Sequence, residues 1–275
     1  MRDREKIFER GQKITRSDYC WGRNPVLSLL TGNPSKCMKV LVAKTARGLP
    51  VDRIIGLCRA SGIPYTIAET KILDAMTEGE NHQGVVANMS PAALLELGEA
   101  LALAPEPPGL AMAVIMDHVE DPRNMGAMVR SAEAAGASFA AMPLRRGALP
   151  AGTVAKTSAG ASLRLPLAAL GNVGNAVREA KDAGFWTIGL DEGARVTIYD
   201  SPLPARCVFV VGGEGTGLSR TAEGACDELM CIPMKAGSGS LNASVALSIC
   251  MFEWMRVNRK INIRSEKDEH TGEKK

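Results

Sequence analysis

"CVFVVGGEGTGLS", residues 207–219, runs from β-branched and aromatic residues into four glycines with Glu214 among them. An apolar run that stops abruptly in glycine reads as a buried strand ending in a tight turn. Such turns often hold phosphate, because glycine lets backbone N–H groups approach an anion closely. A carboxylate inside the cradle argues against that ligand. The order Gly212, Gly213, Gly215, Gly217 also misses the G-x-G-x-x-G spacing that a nicotinamide dehydrogenase needs, and no Gly-Lys-Ser/Thr follows to make a P-loop. Read alone, the stretch is a turn whose glycines supply positive φ, with Glu214 solvated or capping a helix N-terminus.

Working outward, "AVIMDHV" (113–119), "SFAAMPL" (138–144), "FWTIGL" (185–190) and "ELMCIPM" (228–234) are further short apolar strands. Between them lie helical stretches such as "NMGAMVRSAEAAG" and "NAVREAKDAG". Strands that alternate with helices and are apolar on both faces predict an α/β fold, a parallel sheet covered on both sides. Ligands of such sheets bind beyond the carboxyl ends of the strands. Two more polar loops fall at those ends.

In "DHVEDPRNMGAMVRSAEAAG" (117–136), Asp121 and Pro122 make a turn and Asn124 is placed to cap the helix that follows. Arg130 stands among small and apolar neighbours, so it either snorkels to the surface or reaches a phosphate or carboxylate. In "CIPMKAGSGSLNASVALSICMFEWMR" (231–256), Ser240 can cap a helix, with Asn242 in its first turn. Leu241, Val245, Leu247, Ile249, Phe252 and Met255 then form a wide apolar surface, which predicts a largely buried helix. The flexible "KAGSG" leading into it is a candidate ligand clamp.

The N-terminal part predicts a smaller α/β unit. "NPVLSLLTG", "VDRIIGLCRASG" and "TKILDAMTEG" read as helices, and "KVLVA", "IPYTIA" and "QGVVANM" as strands. Its polar "ENHQG" (80–84) is the one stretch there that invites a functional reading. "LALAPEPPGL" (101–110), with three prolines, predicts an extended linker. The expected division is a basic tail over 1–17, a small α/β unit over 18–92, a linker over 93–110, a larger α/β domain over 111–260 and a charged tail over 261–275.

The net charge of +3 is concentrated at the ends. Residues 1–17 hold six Lys/Arg against three Asp/Glu, and residues 256–275 hold seven against four. Such ends suit a polyanion such as RNA, and they equally suit solvated tails. Aromatics at 4% disfavour a protein that works mainly by stacking bases. Seven cysteines without a C-x-x-C pair fit neither a disulfide framework nor a metal site, so they read as buried thiols and no metal is expected. With no membrane span and no signal segment, the expected compartment is the cytoplasm.

Together the three loops resemble the motifs of the SpoU/TrmH family of the SPOUT superfamily, RNA 2'-O-ribose methyltransferases. Asn124, Gly126 and Arg130 match its N-x-G-x-x-x-R element; Gly212, Glu214, Gly217 and Leu218 match G-x-E-x-x-G-L. Ile232, Pro233, Met234, then Ser240, Leu241, Asn242, Ser244, Val245 and Ala246 match the third. Each is weak alone; three in order are specific. The match spans about 110–258, and "YCWGRNPVLSLL" with "NHQGVVA" extends it to the ribosomal-protein-like RNA-binding domain of members that methylate a guanosine of 23S rRNA.

The resemblance implies a SPOUT sheet with a C-terminal trefoil knot, a homodimer with a shared site, and S-adenosylmethionine held around Leu190, Gly212, Gly217, Ile232 and Leu241. It gives Arg130, Asn124, Glu214, Ser240 and Asn242 to catalysis. A guanidinium stays protonated, so Arg130 is expected to position a phosphate and acidify the 2'-hydroxyl, the others fixing geometry or relaying the proton. The chain departs from the pattern at Ala243 and at Leu163, where many relatives carry Glu, a change that bears on substrate contacts. Transfer RNA is the alternative substrate, and a non-catalytic RNA-binding protein of the same fold the alternative class.

Overall fold

The computed structural model describes residues 19–90, 94–143, 158, 160–200, 202–235 and 239–259. The expected tails lie outside these residues, as do 236–238 of the "KAGSG" loop. Among the described residues no helix is long and apolar enough to cross a membrane.

The first unit runs β1 (Tyr19–Trp21), α1 (Arg23–Gly32), β2 (Cys37–Ala43), α2 (Leu49–Ala60), β3 (Tyr65–Ala68), α3 (Thr70–Thr77) and β4 (Val85–Met89). Its sheet has the order β1-β4-β2-β3, with β4 antiparallel to both neighbours and β2 parallel to β3. The expected helices and strands form. β1 is an addition, too short for any periodicity to announce. Trp21, Leu29, Ile54 and Leu73 fill the core.

The second unit runs β5 (Leu95–Glu96), α4 (Leu97–Ala102), β6 (Ala111–Asp117), α5 (Pro122–Ala134), β7 (Ala140–Pro143), β8 (Leu167–Leu170), α6 (Val173–Asp182), β9 (Trp186–Leu190), β10 (Val196–Thr197), β11 (Arg206–Gly212), α7 (Arg220–Glu223), β12 (Glu228–Cys231) and α8 (Ala243–Asn258). Every strand pair in its eight-stranded sheet, order β10-β12-β9-β11-β6-β7-β8-β5, is parallel. The α/β expectation holds for a physical reason visible in β6. Its Met112, Val114 and Met116 enter one buried cluster and Ala111, Ala113 and Ile115 the other, so both faces are covered.

Three expectations change. The linker expected over 93–110 is structured over residues 95–102, which form β5, paired with β8, and α4, whose Leu97, Ala100 and Leu101 are buried in the second unit's core. The chain then turns under Arg206, whose guanidinium donates to the carbonyls of Pro105 and Gly109. α5 is capped by Asp121, which accepts the Arg123 N–H at 2.8 Å, and not by Asn124. α8 is capped by Asn242, which accepts from Ser244 N at 2.9 Å and Val245 N at 3.3 Å, and not by Ser240.

α8 is also less buried than its composition predicts. Leu247, Cys250, Met251 and Trp254 face the core, whereas Val245 and Phe252 stay 46% and 47% exposed. Between the units, Leu163 is buried in the first unit's cluster and its carbonyl accepts from the Asn33 side chain. An apolar residue at that position therefore serves packing between the units.

Candidate functional site

The carboxyl ends of β6, β9, β11 and β12 meet at one edge, where the sheet's connections diverge to either side. The glycine turn sits at its centre. A side chain at Gly212 would overlap the backbone of Gly217, and one at Gly213 the carbonyl of His118, while Gly217 has φ of 62°. The glycines thus let the turn fold back on itself and against the loop after β6. Two of its N–H groups are engaged within the protein: Gly217 N donates to Gly213 O at 3.1 Å and Ser219 N to Asp117 Oδ2 at 2.7 Å. The anion beside this turn is the protein's own Asp117, fully buried at the end of β6.

A cavity of about 630 Å³ lies over the turn. Leu190, Gly212, Gly217, Ile232 and Leu241 all line it, together with Glu214, Ser240 and Asn242. Asp191 and Glu192 line it too; the sequence reading passed over this acidic pair, although "DEG" directly follows the strand predicted over 185–190. Three carboxylates and no Lys, Arg or His border this cavity among the described residues. That lining repels a phosphate and suits a ligand with a positive centre and apolar parts. Cys250 on its wall has its thiol pushed up to about 12, by burial first, so it remains a neutral wall atom.

The three loops converge on Asn242. Its amide nitrogen donates to Glu214 Oε1 and, at 3.1 Å, to Asn124 Oδ1. Its oxygen accepts from Ser244 N, Val245 N and the Ser244 hydroxyl. With donors required on one side and an acceptor on the other, the amide has a single satisfying orientation. Glu214 is therefore neither simply solvated nor a cap. It anchors the glycine turn to the start of α8.

Beyond this bridge opens a second cavity, about 540 Å³, lined by His118, Glu120, Asp121, Asn124 and Ser219 and sharing Glu214, Thr216, Gly217 and Ala243 with the first. Arg130 borders neither cavity. It is exposed on α5 next to Ser131, whose hydroxyl is bonded to Ser248 of α8 at 2.7 Å. Val245 and Phe252 flank Ser248 by about one turn on each side. The structure thus gathers Glu214, Ser240 and Asn242 at the larger cavity, ties Asn124 of the second cavity to them through Asn242, and leaves Arg130 exposed outside both. His118 and Asp117 were not singled out by sequence reasoning; nothing in the pattern shows that adjacent residues bond to each other.

Known proteins resemble this chain along most of its length. The model of the SpoU rRNA Methylase family matches residues 111–252, and that of the RNA 2'-O ribose methyltransferase substrate binding domain matches residues 19–94. The 23S rRNA (guanosine-2'-O-)-methyltransferase RlmB of Salmonella typhimurium is 33% identical over 243 residues, covering 87% of this chain and 98% of that protein. The RlmB of Xanthomonas campestris pv. campestris is 35% identical over 235 residues, 86% and 94% of the two chains. Among solved structures, the SpoU methyltransferase AviRb from Streptomyces viridochromogenes, in complex with AdoMet, superposes with a TM-score of 0.71 at 22% identity, covering 86% of this chain and 89% of that one.

Proposed function

From a chain that belongs to the SpoU rRNA methylase family, we propose an enzyme that methylates a ribose 2'-oxygen of RNA, a guanosine of 23S rRNA, using S-adenosylmethionine. The observation that carries this reading is the larger cavity: five expected cofactor contacts and three carboxylates border it, with no basic side chain among the described residues. S-adenosylmethionine supplies an electrophilic methyl on a cationic sulfonium, and its departure leaves a neutral thioether.

The chain's own residues then have separable tasks. Leu190, Ile232 and Leu241 give apolar contact, and Gly212 and Gly217 let backbone approach the ligand. Asn242, held between Glu214 and Asn124, fixes the wall between the cavities so that a ribose in the second presents its oxygen to the first. Ser240 stands on the same rim. Arg130 positions the neighbouring RNA phosphate.

Arg130 needs a second copy of the chain to reach a site. The exposed Leu241, Val245 and Phe252 on and before α8 support a homodimer through this face, which places Arg130 at the seam. We further propose that the C-terminal segment forms the trefoil knot, that residues 18–92 dock the RNA, that residues 111–260 carry the catalysis, and that the enzyme acts in the cytoplasm without a metal.

The test is to incubate the protein with labelled S-adenosylmethionine and either rRNA or tRNA from cells lacking the activity, then to map ribose methylation. A single 2'-O-methylguanosine in 23S rRNA is expected. No incorporation into any RNA, or incorporation into tRNA alone, overturns the reading.

A further inference from the structure

The Asp117 carboxylate is fully buried, and both its oxygens face donors. Oδ2 accepts the Ser219 N–H at 2.7 Å and Oδ1 meets Nδ1 of His118. A carboxylate only accepts, so Nδ1 carries the hydrogen, and in its neutral form the ring has its lone pair on Nε2. The ring is 51% exposed, and among the described residues nothing bonds Nε2. The backbone at His118 has φ of 56°, an uncommon conformation for a residue with a side chain, held here by the packing of its carbonyl against Gly213. It turns the ring onto the second cavity, which Asn124 and Glu214 also line.

We infer that His118 is the group that takes the proton from the ribose 2'-hydroxyl, with Asp117 holding the ring in the accepting tautomer. This rests on the methyltransferase reading above. The O–H bond breaks, its proton bonds to Nε2, and its electron pair becomes the new O–CH3 bond as the S–CH3 pair returns to sulfur. The imidazolium so formed lies against Asp117 of β6, in a cavity that Glu120 and Asp121 from the loop before α5 and Glu214 from the glycine turn also line. No Lys or Arg lines that cavity among the described residues. A positive ring is therefore stabilised where it forms.

Glycine accepts the backbone angle at this position, so His118→Gly removes the ring without straining the loop. In single turnovers on 23S rRNA from cells lacking the activity, the variant should be slower by about 10²–10⁴-fold. Binding of S-adenosylhomocysteine and of the RNA should not change, and added imidazole should restore part of the rate. The chain has only three histidines, so ¹⁵N NMR can read the tautomer directly, and protonated Nδ1 with free Nε2 is expected. Full rate in His118→Gly, or a ring protonated at Nε2 alone, overturns the inference. Should the wild type methylate no RNA, the functional reading fails separately, and the NMR result still judges the pair.

Discussion

Two histidines of this molecule are each paired with an aspartate, and the pairs are built inside out. In the "ENHQG" loop the His82 ring is 9% exposed and the Asp74 carboxylate 51%; at the sheet edge the Asp117 carboxylate is fully buried and the His118 ring 51% exposed. His82 spends both nitrogens, Nε2 on Asp74 at 3.0 Å and Nδ1 accepting from Gly84 N at 2.9 Å. His118 spends one. A buried ring with both nitrogens engaged closes a loop, whereas an exposed ring held by a buried carboxylate keeps a lone pair for something else. The same two residue types thus make a staple in one unit and a reactive group in the other. What separates them is which partner lost its water.

The largest effect should come from the part of the edge that the His82 loop has no counterpart for. Asn242→Ala removes the amide that joins Glu214, Asn124 and α8. Methyl transfer should fall by about 10²–10³-fold, while the lost cap costs about 1 kcal/mol of stability. Single-turnover rates set against urea unfolding separate the two. A variant as active as the wild type would show that the bridge only shapes the loop.

His82→Ala should behave in the opposite way. It deletes a buried ring and leaves the Gly84 N–H without its partner, costing about 2–3 kcal/mol in urea unfolding. Methyl transfer per folded molecule should be unchanged. If instead the folded variant were slow, the staple would be part of the RNA-handling machinery and the contrast between the pairs would fail.

This division was only partly legible in the sequence. β6 and β11 announced themselves because strands buried on both faces need apolar residues at every position; the ends of such strands pointed to the loops, and the resemblance of their motifs supplied the residues that line the larger cavity. β5 and β10, of two residues each, carry no period, and α4 hid in an Ala/Leu stretch that runs into prolines. The caps were misplaced by two or three residues, since Asp121 competes with Asn124 and Asn242 with Ser240 for the same task and only backbone geometry decides. His118 was invisible because its importance lies in a positive φ and in the burial of its neighbour.

The opposite edge of the same sheet offers a control. There Asp227 accepts from Thr187 N at 2.9 Å and Thr187 Oγ1 at 2.8 Å and pairs with Lys181 at 2.7 Å. Burial alone would raise its carboxyl, but Lys181 and Thr187 outweigh it and hold the group below the usual carboxylate range. Its contribution to stability is thus complete above the unfolded carboxyl value and disappears as pH falls through the lower folded value. Asp227→Asn should cost about 1–2 kcal/mol at neutral pH, flatten the acid limb of the unfolding profile, and leave the pH dependence of methyl transfer untouched. A shift in that dependence would mean that the two edges are coupled.

The smallest effect is expected where the comparison began, at Asp74. Its carboxylate is half exposed and, among the described residues, meets the donor at His82 Nε2 alone, and an asparagine oxygen can accept the same hydrogen. Asp74→Asn should therefore cost less than about 1 kcal/mol, read as a small shift in the urea midpoint with no change in slope. Asp117 has no such latitude, because Ser219 N and His118 Nδ1 both donate to it and an amide has only one oxygen to offer two donors. Identical chemistry in the two pairs thus predicts unequal tolerance, and the inequality follows from counting donors around each carboxylate.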